Sequence, residues 1–183
     1  MFVLGVDPGV SRCGYGCLKL RGGGKPPEIV SMGVITTPTS DALPVRLAAL
    51  DRELRALLAE QHPDVVAVER LFFQTNARTA MSVGQASGLV LAAASASGAR
   101  VVQYTPNEVK QAVAGYGAAP KEQIQRMVQA QLGLAERPKP ADVADALALA
   151  LCHAALAPLE ARIASASEVK AAEVKAAEVK ATR

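Results

Sequence analysis

Short apolar runs alternate along this chain with longer stretches in which leucine, valine and alanine recur at helical spacing. Residues 2–7 (FVLGVD) form a short apolar run that ends in Asp-Pro-Gly, which predicts a buried strand followed by a turn. Residues 14–20 and 29–36 predict two more strands, joined by the hairpin-type segment Gly-Gly-Gly-Lys-Pro-Pro at 22–27. Leu43, Leu47, Leu50, Leu54, Leu57 and Leu58 then recur as on one helix face, with Asp41 as a candidate cap and Pro63 as the stop. Residues 64–68 (DVVAV) are continuously apolar after Asp64, as in a strand covered on both faces, and they lead into Glu69. A polar stretch at 70–78 precedes an Ala- and Ser-rich helix at 79–97. A strand at 100–104, helices at 106–114 and 121–132, and an Ala/Leu helix at 141–156 follow.

That order predicts an α/β domain. The first three strands can meander antiparallel, whereas the last two arrive through helical crossovers and so run parallel to their neighbours. The expected architecture is a mixed five-stranded sheet with helices on both faces, spanning residues 1–157. Residues 158–183 stand apart. From Glu168 they repeat EVKAA, and a five-residue period lets Val169, Val174 and Val179 drift around a helix without forming an apolar stripe. The segment is expected to be a solvated, flexible tail.

Composition narrows the class. With 183 residues, half of them apolar and 20% charged, the chain has enough core to fold without staples and is not globally disordered. Its apolar stretches are expected to fall short of a membrane span, and the N-terminus lacks the pattern of a secretory signal. Cys13, Cys17 and Cys152 are odd in number and show no CxxC spacing, so they read as small buried side chains in a reducing cytoplasm. The net charge is only +3, but residues 70–139 carry 8 basic and 3 acidic side chains while the flanking regions are slightly acidic. A basic middle suggests a polyanionic partner.

Four carboxylates occupy positions where chemistry is plausible. Asp7 and Glu69 each end an apolar strand, and Asp142 and Asp145 lie three apart at the start of an apolar helix. Singly, each has an ordinary explanation: a turn, a strand end, an N-cap, a first-turn acid. Together they read differently. If the first and fourth strands are neighbours and the last helix packs on them, the four acids meet, and four close carboxylates call for a hard divalent cation such as Mg²⁺ or Mn²⁺. Lys110 and Lys121 follow the fifth strand, either as surface lysines or as charges that stabilise a reacting phosphate. Two of only three phenylalanines, Phe72 and Phe73, fall in the polar stretch after Glu69. One of them can stack on a base or wedge between strands, with Gln74, Asn76 and Arg78 supplying backbone contacts.

Four segments in this order carry a resemblance: GVDPGVSRCGYG at 5–16, AVERLFF at 67–73, VKQAVAGYGAAPKEQIQRMV at 109–128 and ADVADALALALCH at 141–153. They are similar to RuvC, the bacterial Holliday-junction resolvase family, over roughly residues 1–157. The resemblance implies an RNase H-like fold and a homodimer that cuts four-way junction DNA in recombination and repair. Symmetric nicks would leave a 5′-phosphate and a 3′-hydroxyl. It places the family's metal-binding acids on Asp7, Glu69, Asp142 and Asp145, in the all-carboxylate version, since some members carry a His where Asp142 stands. It places the active-site lysines on Lys110 and Lys121 and the stacking loop aromatic on Phe72. It implies two Mg²⁺ ions per subunit, about 4 Å apart on the two-metal template, with Mn²⁺ as a substitute. The implied partners are the RuvA and RuvB branch-migration proteins. Two cuts need two sites, and the helix at 79–97, with Met81, Val83 and Leu89 beside small Gly84, Ala86 and Gly88, is the expected dimer contact.

Two other classes start from the same residues. A sugar-kinase or actin-like ATPase also opens on a strand followed by Asp-x-Gly, but it needs a second phosphate loop and a longer chain. A catalytically inactive junction-binding module would not need all four acids.

Overall fold

The computed structural model describes residues 1–22, 25–70 and 77–158, with the side chains of 77–80 left aside. Ten elements follow one another. Strands β1 (Phe2–Asp7), β2 (Arg12–Lys19) and β3 (Glu28–Thr36) come first, then helix α1 (Leu43–Gln61) and strand β4 (Val65–Glu69). Helix α2 (Ala77–Ala96), strand β5 (Arg100–Tyr104) and helices α3 (Pro106–Ala114) and α4 (Lys121–Gln131) come next, and a last helix, α5, covers 141–158. The strands form one sheet in the order β3-β2-β1-β4-β5. The β1–β2 and β2–β3 pairs are antiparallel, and the β1–β4 and β4–β5 pairs are parallel.

Alternation along the central strands sends side chains to two cores. Leu4, Val6, Val66 and Val68 pack with Leu50, Leu54, Leu58, Val90 and Ala94 of α1 and α2. Val3, Val65 and Ala67 face the other way, onto Val113, Ile124, Val128, Leu147 and Leu151 of α3, α4 and α5. Period-two strands between two helical layers therefore account for the continuous apolar runs of β1 and β4.

Local expectations fail at a few points. Asp41 does not cap α1: the N-cap is Ala42 without a side-chain hydrogen bond, and a proline in the first turn starts the helix instead. Leu43, placed on the apolar stripe, is 37% exposed, because the buried face begins only at Leu50. At the other end His62 takes the left-handed conformation (φ 43°) and its N–H caps Leu58 just ahead of Pro63. On α2, Ala86 is fully buried and Leu89 packs on the same core, so neither belongs to an open face, whereas Met81 is 66% exposed. Residues 141–158, contrary to expectation, are long and apolar enough to cross a membrane, with a mean hydropathy of 1.4. Their apolar side chains are used otherwise: Val143, Ala144 and every residue from Ala146 to His153 are buried within the fold. All three cysteines are free and buried. The tail lies outside the described residues apart from Pro158.

Candidate active site

Asp7 and Glu69 close two neighbouring parallel strands. The register pairs Val6 with Val68, so the next residue on each strand brings the two carboxylates side by side. Both lie on the sheet face that carries α3, α4 and α5, since Gly5 and Ala67, two residues earlier, turn to that side. The last helix reaches them because Gly5 and Gly14 beneath it lack side chains. A Cβ on Gly5 would stand 1.9 Å from the carbonyl oxygen of Ala146, and one on Gly14 would stand 2.2 Å from that of Asp142. Glycine there, opposite the alanines of α5, lets the helix backbone lie on the strands, and Asp142 and Asp145 arrive beside Asp7 as a result. The N-cap reading of Asp142 fails, since α5 already begins at 141.

Charge at this point is crowded. Burial first, then Asp145, Glu69 and Asp142, push the Asp7 carboxyl up to about 7. Glu69 is also raised, by burial and then by Asp145, against the opposing pull of Lys121 and Lys110. Lys121 sits at the first position of α4 after Pro120, and its Nζ donates to Asp145 Oδ2 at 2.6 Å. That hydrogen bond raises the Lys121 pKa and keeps the ammonium charged. On the opposite side Arg12, the first residue of β2, sets Nε and Nη2 at 2.9 and 2.8 Å from Asp142 Oδ2. Burial works to raise Asp142, but the hydrogen bond and charge of Arg12 prevail and hold it below the usual carboxylate range.

A cavity of about 570 Å³ opens over these groups. Asp7, Glu69, Asp145, Lys110 and Lys121 form its polar part, and Val109, Ile124 and Leu149 belong to its apolar wall. Among the described residues no group of three or more His, Cys, Asp or Glu side chains is gathered tightly enough to hold a metal ion as it stands. The donor set nevertheless suits one. The oxygens are hard, and Asp7 and Glu69 are pushed up first by burial and then by neighbouring acids, a crowding that a divalent cation would offset.

The six side chains expected at the centre thus come together, five around the cavity and Asp142 near enough for its charge to act on Asp7 and Lys121. Phe72, Phe73, Gln74 and Asn76 lie outside the described residues, as does the side chain of Arg78, although Arg78 falls in the first turn of α2. Sequence reasoning missed Arg12, which lies inside the first motif but between the expected strands. It also missed His153. Its ring is fully buried, with Nδ1 2.6 Å from the Tyr104 hydroxyl and Nε2 3.2 Å from Arg100 Nη2, and it ties α5 to β5.

Comparison with known proteins gives one answer. Residues 3–153 match the family model "Crossover junction endodeoxyribonuclease RuvC". The RuvC of Moorella thermoacetica is 51% identical over 162 residues, covering 88% of this chain and 96% of that protein. The Thermus thermophilus RuvC structure superposes with a TM-score of 0.81 at 38% identity, over 87% of this chain and 97% of that one. The same enzyme in complex with Holliday junction substrate gives 0.79 at 36%, over 87% and 96%. The sheet order and the two helical layers are therefore an RNase H-like fold, and the kinase-like alternative falls away. With a family match over most of its length and relatives at about half identity, the chain belongs to the RuvC family of crossover junction endodeoxyribonucleases.

Proposed function

We propose that this chain resolves Holliday junctions as a structure-selective endonuclease, nicking two strands of like polarity in the cytoplasm during recombination and repair. The observation that carries the reading is the set of crowded carboxylates, with Asp7 pushed up to about 7, under an open cavity flanked by Lys110 and Lys121. An inactive binding module has no use for that repulsion.

Asp7, Glu69, Asp142 and Asp145 would hold Mg²⁺, two ions per subunit, with Mn²⁺ as a substitute. When bound, the metal supplies Lewis acidity toward the phosphate and lowers the pKa of attacking water. The protein's own part is positional and electrostatic. Strand ends and a helix laid on glycine hold the backbones of the acids in place, so substrate and metal need only draw the side chains together. Lys121 carries a charge at the cavity wall, where it neutralises the scissile phosphate, and Lys110 adds a second positive charge beside Glu69. The nick leaves a 5′-phosphate and a 3′-hydroxyl. Phe72 stacks on a junction base, and Phe73, Gln74, Asn76 and Arg78 contact the strand nearby. Among the described residues one chain has one such site, so paired nicks are made by a homodimer, with RuvA and RuvB delivering the junction.

The test is Mg²⁺-dependent cutting of a synthetic four-way junction, with binding measured in parallel. The unsubstituted chain is expected to bind and nick, and Asp7→Asn to bind without nicking, because affinity comes from phosphate contacts rather than from this acid. Cutting by Asp7→Asn at an undiminished rate would remove the carboxylates from the mechanism.

A further inference from the structure

Lys110 and Lys121 account for positive charge on one side of the carboxylates only. The other side is held by Arg12, whose ion pair with Asp142 has no place in the mechanism above. Its guanidinium turns to a single oxygen, Asp142 Oδ2, with a hydrogen bond from Nε and an ion-pair contact from Nη2. Among the described residues Nη1 makes no hydrogen bond. The side chain is 48% exposed, so its free edge faces solvent.

The backbone beneath Arg12 is firmly held. Thr37 N–H donates to Ser11 O at 3.2 Å, and the Thr37 hydroxyl donates to Val10 O at 2.6 Å. Arg46 donates to Thr37 Oγ1 and to Ser11 Oγ, closing a staple across β3 and α1. A guanidinium on such a support is preorganised, and its planar fork suits a phosphate diester better than an ammonium would. A DNA strand with its reacting phosphate over the carboxylates extends past them in both directions. Its phosphates therefore need cationic partners on the side away from Lys121 as well.

We propose that Arg12 is a DNA-binding residue that grips a backbone phosphate next to the cut on the β2 side, and that its bond to Asp142 is the waiting position of this clamp in the free protein. The inference rests on the proposed reading of the carboxylates as the cutting site. Substrate and acid compete for one guanidinium, so releasing Asp142 for its own role and gripping DNA are a single exchange.

The experiment measures binding rather than cutting. A fluorescent four-way junction is titrated with the chain in EDTA at several salt concentrations, using Arg12→Gln, Arg12→Lys, Asp142→Asn and the double variant Arg12→Gln/Asp142→Asn. Thermal melts of each establish that it folds. Arg12→Gln is expected to weaken binding roughly tenfold and to flatten the log–log salt dependence by about 0.9, the value of one phosphate contact. Arg12→Lys should keep the slope and recover part of the affinity. Asp142→Asn should tighten binding by freeing the clamp, and most of that gain should vanish in the double variant. Affinity and slope unchanged in Arg12→Gln, or an equal gain with and without Arg12, would overturn the assignment and leave Arg12 as a support for Asp142 alone. Failure of the unsubstituted chain to bind the junction would instead overturn the functional reading beneath it.

Discussion

The Asp7 carboxyl, pushed up to about 7 by burial and by three other acids, ties the stability of the chain to pH. Its ordinary value is 3.8, so between pH 4 and 7 the native state binds more protons here than the unfolded state does. Stability contributed by this group is therefore present at low pH and lost as pH rises through about 7. Asp7→Asn removes the penalty. In EDTA it is expected to raise the melting temperature at pH 8, by the equivalent of about 2–4 kcal/mol, and to change it little at pH 4. Equal melting of the two chains at pH 8 would mean that the site bears no electrostatic strain. Lys121 makes a second prediction at this scale. Its ammonium touches Asp145 at 2.6 Å, and its side chain is 62% exposed at the cavity wall. Lys121→Ala is expected to lower kcat by about 3 kcal/mol, on the order of a hundredfold, with little effect on junction affinity. A matching loss in affinity would make Lys121 a plain backbone contact. Asp7 was legible in the sequence because an acid at the end of an apolar strand stands out, while Lys121 read singly as an ordinary surface lysine and gained its role from the family resemblance. Arg12 was not legible, since a basic residue at a strand start is common and its meaning depends on a helix 130 positions away.

Elements were readable where one period dominates. The five described strands and five described helices fall where the hydrophobic pattern places them, because the central strands β1 and β4 are covered on both faces and each helix has a buried face, while the edge strand β3 is readable from its alternation with Val30 and Met32 left exposed. The start of α1 was misjudged for a local reason: Asp41 and a proline both signal a helix N-terminus, and the proline sets it. The close seat of α5 was the least visible feature, because it depends on glycines in β1 and β2 that read singly as strand weaknesses. It also controls the site, since Ala146, the residue touching Gly5, directly follows Asp145. Gly5→Ala must therefore lift α5. We expect it to cost about 1–3 kcal/mol through overpacking, seen as a lower melting temperature. Cleavage should fall more steeply than stability, since the acids no longer meet. Normal cutting by a chain that still melts lower would show that the site tolerates displacement of α5.

For the whole molecule, the geometry of a single chain sets a limit on what it can do. In the proposed reading Asp7, Glu69, Asp142 and Asp145 make one cutting centre, and a centre that cuts one phosphodiester cannot cut the opposite strand without release and rebinding. Two-fold symmetry answers that problem economically, because a dimer with a two-fold axis presents identical sites to a substrate of matching symmetry. The sequence pattern put the dimer contact on the helix at 79–97, where Ala86 is buried and Leu89 packs on the core of its own chain while Met81 stays 66% exposed. Residues on an open helix face and residues on a buried one have the same composition here, so only packing separates them. The dimer is nonetheless testable without knowing its contact. When the chain is mixed with an excess of Asp7→Asn chain, most working sites pair with a dead one. On a supercoiled plasmid with an extruded cruciform, paired nicks give linear DNA and single nicks give open circles. The mixture is expected to shift product from linear to open circle as the proportion of Asp7→Asn rises, while total nicking per working site stays level. A constant ratio of linear to open-circle product at every mixing ratio would mean that each chain cuts both strands by itself.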